Sequence, residues 1–338
     1  MPRRNASPKL TAPGDGRSAL LARRWRWRAA ICALILGSLQ PSPAPSEQLE
    51  PPESNSTVAE EPITPIPEPT PVDPLKVRLG ERLFVDPRLS HDNSRSCSSC
   101  HDISTNGASS KGQDVGRDGS LLPLNTLSIF NATLNFRFGW EGKIRSLEAD
   151  AKAALENRQL MDTSISELVE KLGADPDMGR EFVAAYGRGP DARNIPDALV
   201  SFERTLVTPG SRFDRWLAGD AAALSTEEKD GYKLFKSLGC VSCHQGVNIG
   251  GNLFARHGIF HPLASPKPEV LRVPSLRNVA TTAPYFHDGS IQTLDDAVRK
   301  MGLAQLNSIL TDQQVKAIVA YLGTLTGKYR GVSIGASP

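Results

Sequence analysis

Cysteine is too scarce here for a disulfide framework. The 338 residues hold five, four of which form two C-x-x-C pairs, leaving only Cys32 over. The pairs lie 143 residues apart, whereas a zinc site built from two such pairs needs them close together. Runs of β-branched residues with period two are missing, so a sheet-dominated fold is excluded and a mainly α fold is expected. Aromatics make up 6 % of the chain, few for a large core. No apolar run reaches the roughly twenty residues of a membrane span. Charge of one sign is also absent. The net value is +2, and the basic excess sits in residues 1–40, which excludes a nucleic-acid surface. What remains is 39 % hydrophobic and 22 % charged, ordinary for a soluble globular protein and long enough for two domains.

Against that background two stretches stand out, Cys97-Ser98-Ser99-Cys100-His101 and Cys240-Val241-Ser242-Cys243-His244. C-x-x-C-H is the attachment signature of c-type haem. The cysteines Cys97, Cys100, Cys240 and Cys243 bond the porphyrin vinyl groups, and His101 and His244 become the proximal iron ligands. Two covalently bound haems would also supply apolar surface that the aromatics do not. A candidate sixth ligand, Met301, follows the second motif. None follows the first, because residues 102–139 contain no histidine.

The N-terminus carries eight Lys or Arg and one acid in residues 1–40, with Arg23–Arg28 directly before an apolar run of about eleven residues. This is the pattern of a secretory signal or an N-terminal anchor, and export to the periplasm agrees with c-type haem. Residues 41–74 contain eleven of the 26 prolines and seven acids with no base. Such a stretch is expected to be an extended, disordered linker.

In the folded part, Leu75, Leu79 and Leu83 mark a helix face stopped by Pro87. Thr105 to Pro123 reads as a long loop. Trp140 sits at a turn ahead of a helix from Ser146 to about Gln159. Ser164 to Glu167, Ser225 to Glu228 and Thr311 to Gln314 read as capping boxes, and Asp191–Leu206 as a further helix. Met301 is expected ahead of a loop and outside any helical stripe. Two cytochrome c-like haem domains follow, over residues 75–215 and 216–330.

With both motifs placed, the chain resembles the bacterial di-haem cytochrome c peroxidase family, which includes the di-haem enzyme that matures methylamine dehydrogenase. The resemblance covers roughly residues 75–330. It is carried by Leu83–Ser90, Trp140-Glu141-Gly142-Lys143, Val273–Val279, Thr282–Gly289, and Met301 with Gln305-Leu306. It implies a peroxidase that reduces hydrogen peroxide to water with electrons from a small cytochrome c or a copper protein (cupredoxin). His244 and Met301 would ligate the electron-accepting haem of the C-terminal domain, and Met301 in place of a tyrosine argues for the peroxidase branch. Asn125, Thr282 and Pro284 match the family's calcium site, and Trp140 its inter-haem tryptophan. Family members are often dimers, so a homodimer is also implied.

Two departures accompany the match. The distal histidine that many members carry after the first motif is absent, which implies an open first iron. The family's distal glutamine and glutamate positions fall on Asp150 and Leu160. Asp150, with Glu148 and Glu156 nearby, is the candidate replacement for proton transfer. These departures leave open a related di-haem enzyme oxidising a protein or organic substrate, or a pure electron-transfer di-haem cytochrome.

Overall fold

A computed structural model describes residues 61–335. The expected signal or anchor over 1–40, Cys32 and most of the linker lie outside the described residues. No helix among the described residues is long and apolar enough to cross a membrane.

The chain folds as two helical halves, each built on a crossed helix pair. In the first half, α1 (Pro74–Phe84) starts at Asp73, whose carboxylate accepts from the Leu75 amide, with Pro74 in the first turn. Then come α2 (Leu147–Glu156), α3 (Ile165–Gly173), α4 (Pro176–Tyr186) and α5 (Asn194–Glu203). Helices α1 and α5 cross at Gly80, where a Cβ would run into the Ala198 carbonyl. Leu79, Leu83, Phe84, Leu199 and Phe202 are buried in this core. Truncating Phe202 to alanine would cost about 3–5 kcal/mol.

The second half repeats the device. After the short α6 (Arg212–Leu217) come α7 (Thr226–Ser237), α8 (Leu294–Leu306) and α9 (Asp312–Gly323). Helices α7 and α9 cross at Gly231 against the Ala317 carbonyl. Val315, Ile318 and Leu322 form a buried apolar stripe along α9, continued by Leu325 just beyond its end. The only sheets among the described residues are two hairpins. One pairs β1 (Phe254–Arg256) with β2 (Val270–Arg272), and the other β3 (Lys328–Tyr329) with β4 (Val332–Ser333). The fold is mainly α, as the lack of period-two β-branched runs implies.

Three sequence expectations change. Ser164 does cap α3, accepting from the Glu167 amide, but the Glu167 carboxylate turns to Lys171 and His91 in place of closing a capping box. A charged partner wins over a backbone amide there. Helix α4 went unread, since its Asp175 cap and Pro176 look like a turn.

The third change concerns the linker. Residues 61–66 are not free but lie as a strap across the second half. Ile63 and Ile66 are buried, Pro62 accepts from the Gly246 amide, and Glu61 takes hydrogen bonds from Tyr232 and Lys236. Thr64 accepts from Arg277 Nη2 at 2.8 Å. The two buried isoleucines, together with the hydrogen bonds to Glu61, Pro62 and Thr64, hold this proline-rich run in place. Beneath the strap, Arg277 and Asp214 form a fully buried ion pair at 2.8 Å. The Ile66 amide also reaches Asp214 Oδ1, at 3.3 Å.

Candidate haem sites

Each C-x-x-C-H motif begins as a single 3-10 turn, Cys97–Ser99 and Cys240–Ser242, delivered by the loop after α1 and by α7 respectively. In both, the histidine ring is fixed from behind. His101 Nδ1 faces the Gly107 carbonyl at 3.1 Å, and His244 Nδ1 faces the Ile249 carbonyl at 3.2 Å. Only an N–H can face a carbonyl, so Nδ1 is the donor and Nε2 keeps its lone pair for a metal. Burial lowers both imidazole pKa values, that of His244 to about 4, so both rings are neutral at physiological pH.

The thiols are not activated in the way redox cysteines are. Burial pushes Cys97 up to about 12 and Cys240 up to about 11. A redox-active thiolate would show a lowered value. The donor set therefore suits covalent thioether attachment.

The second motif opens on a cavity of about 450 Å³ lined by Phe235, Leu276, Tyr285, Ile318 and Leu322. Met301 lines the same cavity. It does not precede a loop, as the sequence reading has it, but sits inside α8, capped by Thr293 accepting from the Asp296 amide. Leu294, Ala297, Val298, Met301 and Gln305 recur at helical spacing and present one face of α8 to the cavity. Met301 is thus part of a helical stripe, and the stripe lines a void large enough to need a prosthetic group.

Arg272 supplies a second sign of fit. It is 4 % exposed, lines the cavity, and leaves its buried Nη1 without a hydrogen-bond partner. Its Nε donates to the Gly139 carbonyl at 3.1 Å and its backbone amide to the Trp140 carbonyl at 2.8 Å. An orphan guanidinium N–H in an apolar cavity is costly unless a carboxylate fills the place, and porphyrin propionates are carboxylates.

Between the halves, Trp140 Nε1 donates to the Asn125 carbonyl at 2.7 Å, and the Asn125 amide donates to the His287 carbonyl at 2.8 Å. Asn125, Thr282 and Pro284 all line the one cavity. Asn125 Nδ2 is spent on the Lys111 and Gly112 carbonyls, which turns Oδ1 the other way.

Glu203 of α5 lies near enough to the first motif for its charge to act on the Cys97 thiol. On the same helix Val200 packs with Phe138 and Leu147, with Ala151 of α2 against them. Asp150 is on the same face of α2 as Leu147, and Glu203 on the same face of α5 as Val200. Burial raises Asp150 to about 6, against the opposing pull of Arg272. Burial and the Asp150 and Glu148 carboxylates raise Glu203 to about 8. Glu148 itself is half-exposed and accepts from Arg204 at 2.8 Å. Leu160 packs against the first core and brings no proton donor.

Sequence reading missed Glu203 and Arg272. The Val200–Glu203 spacing could have flagged the first, whereas only the cavity reveals the second. All six histidines are accounted for. His91 pairs with Glu167 at the surface, His101 and His244 belong to the motifs, and His257, His261 and His287 lie in the second half.

Comparison with known proteins decides the family. A family model described as di-haem cytochrome c peroxidase matches residues 74–222, and a cytochrome c model matches residues 228–326. The cytochrome c551 peroxidase of Nitrosomonas europaea is 39 % identical over 80 % of this chain and 85 % of that protein. The chain belongs to the di-haem cytochrome c peroxidase family. The Escherichia coli cytochrome c peroxidase Ccp is 38 % identical over 82 % of this chain, but the match spans 64 % of that longer protein. A solved MauG-like protein associated with microbial copper homeostasis superposes with a TM-score of 0.69. It is 28 % identical over 78 % of this chain and 94 % of that one. Membership makes the chain an oxidoreductase with two covalently bound c-type haems, one on each motif.

Proposed function

We propose that this protein is a periplasmic peroxidase that reduces hydrogen peroxide to water at the Cys97–His101 site. A small cytochrome c or cupredoxin would deliver electrons at the Cys240–His244 site. One observation carries the reading: of six histidines, none is left to cover the far face of the first site. Haem, when bound, supplies the iron that takes peroxide and the electrons that reduce it. The protein's part is to hold, orient and protonate. Peroxide reduction consumes two protons with two electrons, and in this reading Asp150 is the carboxylate that would move them. Raised to about 6, it is ionised at neutral pH and still basic enough to take a proton from bound peroxide and return it to the leaving oxygen. Glu203, raised to about 8, stays protonated beside it as a reserve. Trp140, linked through Asn125 to His287, supports a short electron path between the halves.

In the same reading His244 and Met301, which line one cavity, would both hold the second haem, whose thioether ligand would raise its potential and suit it to accept electrons. That reading also puts a calcium ion at Asn125 Oδ1 and the Thr282 and Pro284 carbonyls, oxygen donors that suit a hard cation. The test is peroxide-dependent oxidation of a reduced small cytochrome c by the purified two-haem protein. Turnover well above free haem supports the proposal. Absence of turnover with either a cytochrome c or a cupredoxin donor overturns it in favour of a di-haem enzyme acting on a protein or organic substrate.

A further inference from the structure

The two halves share more than a motif. From Asn131 to Ala154 and from Asn278 to Met301 the chain runs in the same frame, 147 positions apart without a gap. Asn131 (φ 62°) and Asn278 (φ 61°) are both left-handed and both start a single 3-10 turn. Seven residues on, Phe138 bridges Ile144 and Tyr285 bridges Ile291. Inside those bridges lie Gly142 (φ 58°) and Gly289 (φ 63°), both in the region that favours glycine. Ser146 and Thr293 then cap α2 and α8, each accepting from the amide three residues later.

The frames are also anchored alike to their motifs. Ser128 Oγ donates to the Asn106 carbonyl at 2.6 Å, and Ser275 Oγ donates to the Asn248 carbonyl at 2.8 Å. Asn106 and Asn248 each directly precede the residue whose carbonyl fixes the motif histidine. Helix α2 therefore stands to the first motif as α8 stands to the second.

The residue of α8 aligned with Ala154 is Met301, which lines the cavity over the second motif. We propose that Ala154 occupies the sixth-ligand position of the first haem, and that its missing donor atom keeps that iron open. A methyl group stops three heavy atoms short of where a methionine side chain ends. One turn earlier, Asp150 aligns with Ala297, another cavity-lining residue of α8, so the same register sets Asp150 beside the opening. This inference rests on the placement of the haems and not on peroxide turnover.

The test is Ala154→Met in the two-haem protein, read by EPR and absorption of the oxidised form. Ala154 is half-buried in a helix and Met is a good helix former, so the fold should accept it. Wild type is expected to show one high-spin and one low-spin haem, and the variant two low-spin haems. A first haem that stays high-spin in a fully loaded variant overturns the proposal. If Ala154→Met does not load haem, Ala154→Val carries the test through cyanide titration of the first haem. At least tenfold weaker cyanide binding is expected, and unchanged affinity overturns the proposal. Wild type without peroxide turnover but with this spin-state change would defeat the peroxidase reading and leave the inference standing.

Discussion

Trp140 and His287 hold equivalent places in the two halves, and their rings meet edge to face with centroids 6.2 Å apart. The contact joins the half that carries the second motif to the half that carries the first through two aromatic rings. Replacing Trp140 by Phe keeps a ring but removes the donor to the Asn125 carbonyl. The expected outcome is a loss of about 1 kcal/mol in stability and slower re-oxidation of the second haem by peroxide, with both haems loaded. Denaturant titration and stopped-flow absorbance of the reduced protein read the two effects separately.

Asp150 and Glu203 are both raised above their unfolded values, to about 6 and about 8. The folded protein therefore holds more protons than the unfolded chain between those limits. Their contribution to stability is fully present below about pH 4 and is lost as pH rises through 6 and then 8. Thermal midpoints measured from pH 4.5 to 8.5 should fall toward alkaline pH, and Glu203→Gln should flatten the upper part of that slope.

Activity should move in the opposite sense over the lower part of the range. Asp150 acts as a base only when ionised, so kcat/KM should rise through about pH 6. Asp150→Asn should lower it at least tenfold and abolish that acid limb. A full profile retained in the variant would remove Asp150 from proton transfer.

The Asp214–Arg277 pair is buried on both sides, so removing one partner strands the other. Asp214→Ala is expected to cost about 3–5 kcal/mol, whereas Asp214→Leu with Arg277→Met should recover much of it. Urea midpoints of the single and double variants decide this.

Arg272→Gln should lower the midpoint potential of the higher-potential haem, because a buried positive charge favours the reduced state. Arg272→Lys should retain most of it. Potentiometric titration of both variants, alongside wild type, is the measurement.

How much of this was legible in the chain depends on the range of the interaction. The C-x-x-C-H motifs, the Ser225 and Thr311 caps and the α9 stripe depend on residues within a turn or two, and all appear in the structure. Met301 was legible as a residue type but not as part of a helix, because its stripe faces a cavity and shows weak apolar periodicity. Arg272 and Glu203 owe their character to partners distant in sequence, such as Asp150, and no local pattern marks them. The shared frame of α2 and α8 is visible only weakly in the letters. Its conserved content lies in backbone angles, caps and carbonyl contacts, to which side-chain identity is largely indifferent.

The strap over residues 61–66 gives the chain an interleaved order: it touches the second half, departs to build the first, and returns. The first half is in effect an insertion within the second. A fragment cut at the start of α6 would lack Ile63, Ile66 and the Thr64 carbonyl that covers Arg277, and would expose that apolar groove. Any restraint on the chain ahead of Glu61 would be transmitted to the second half first, with the first half carried behind it.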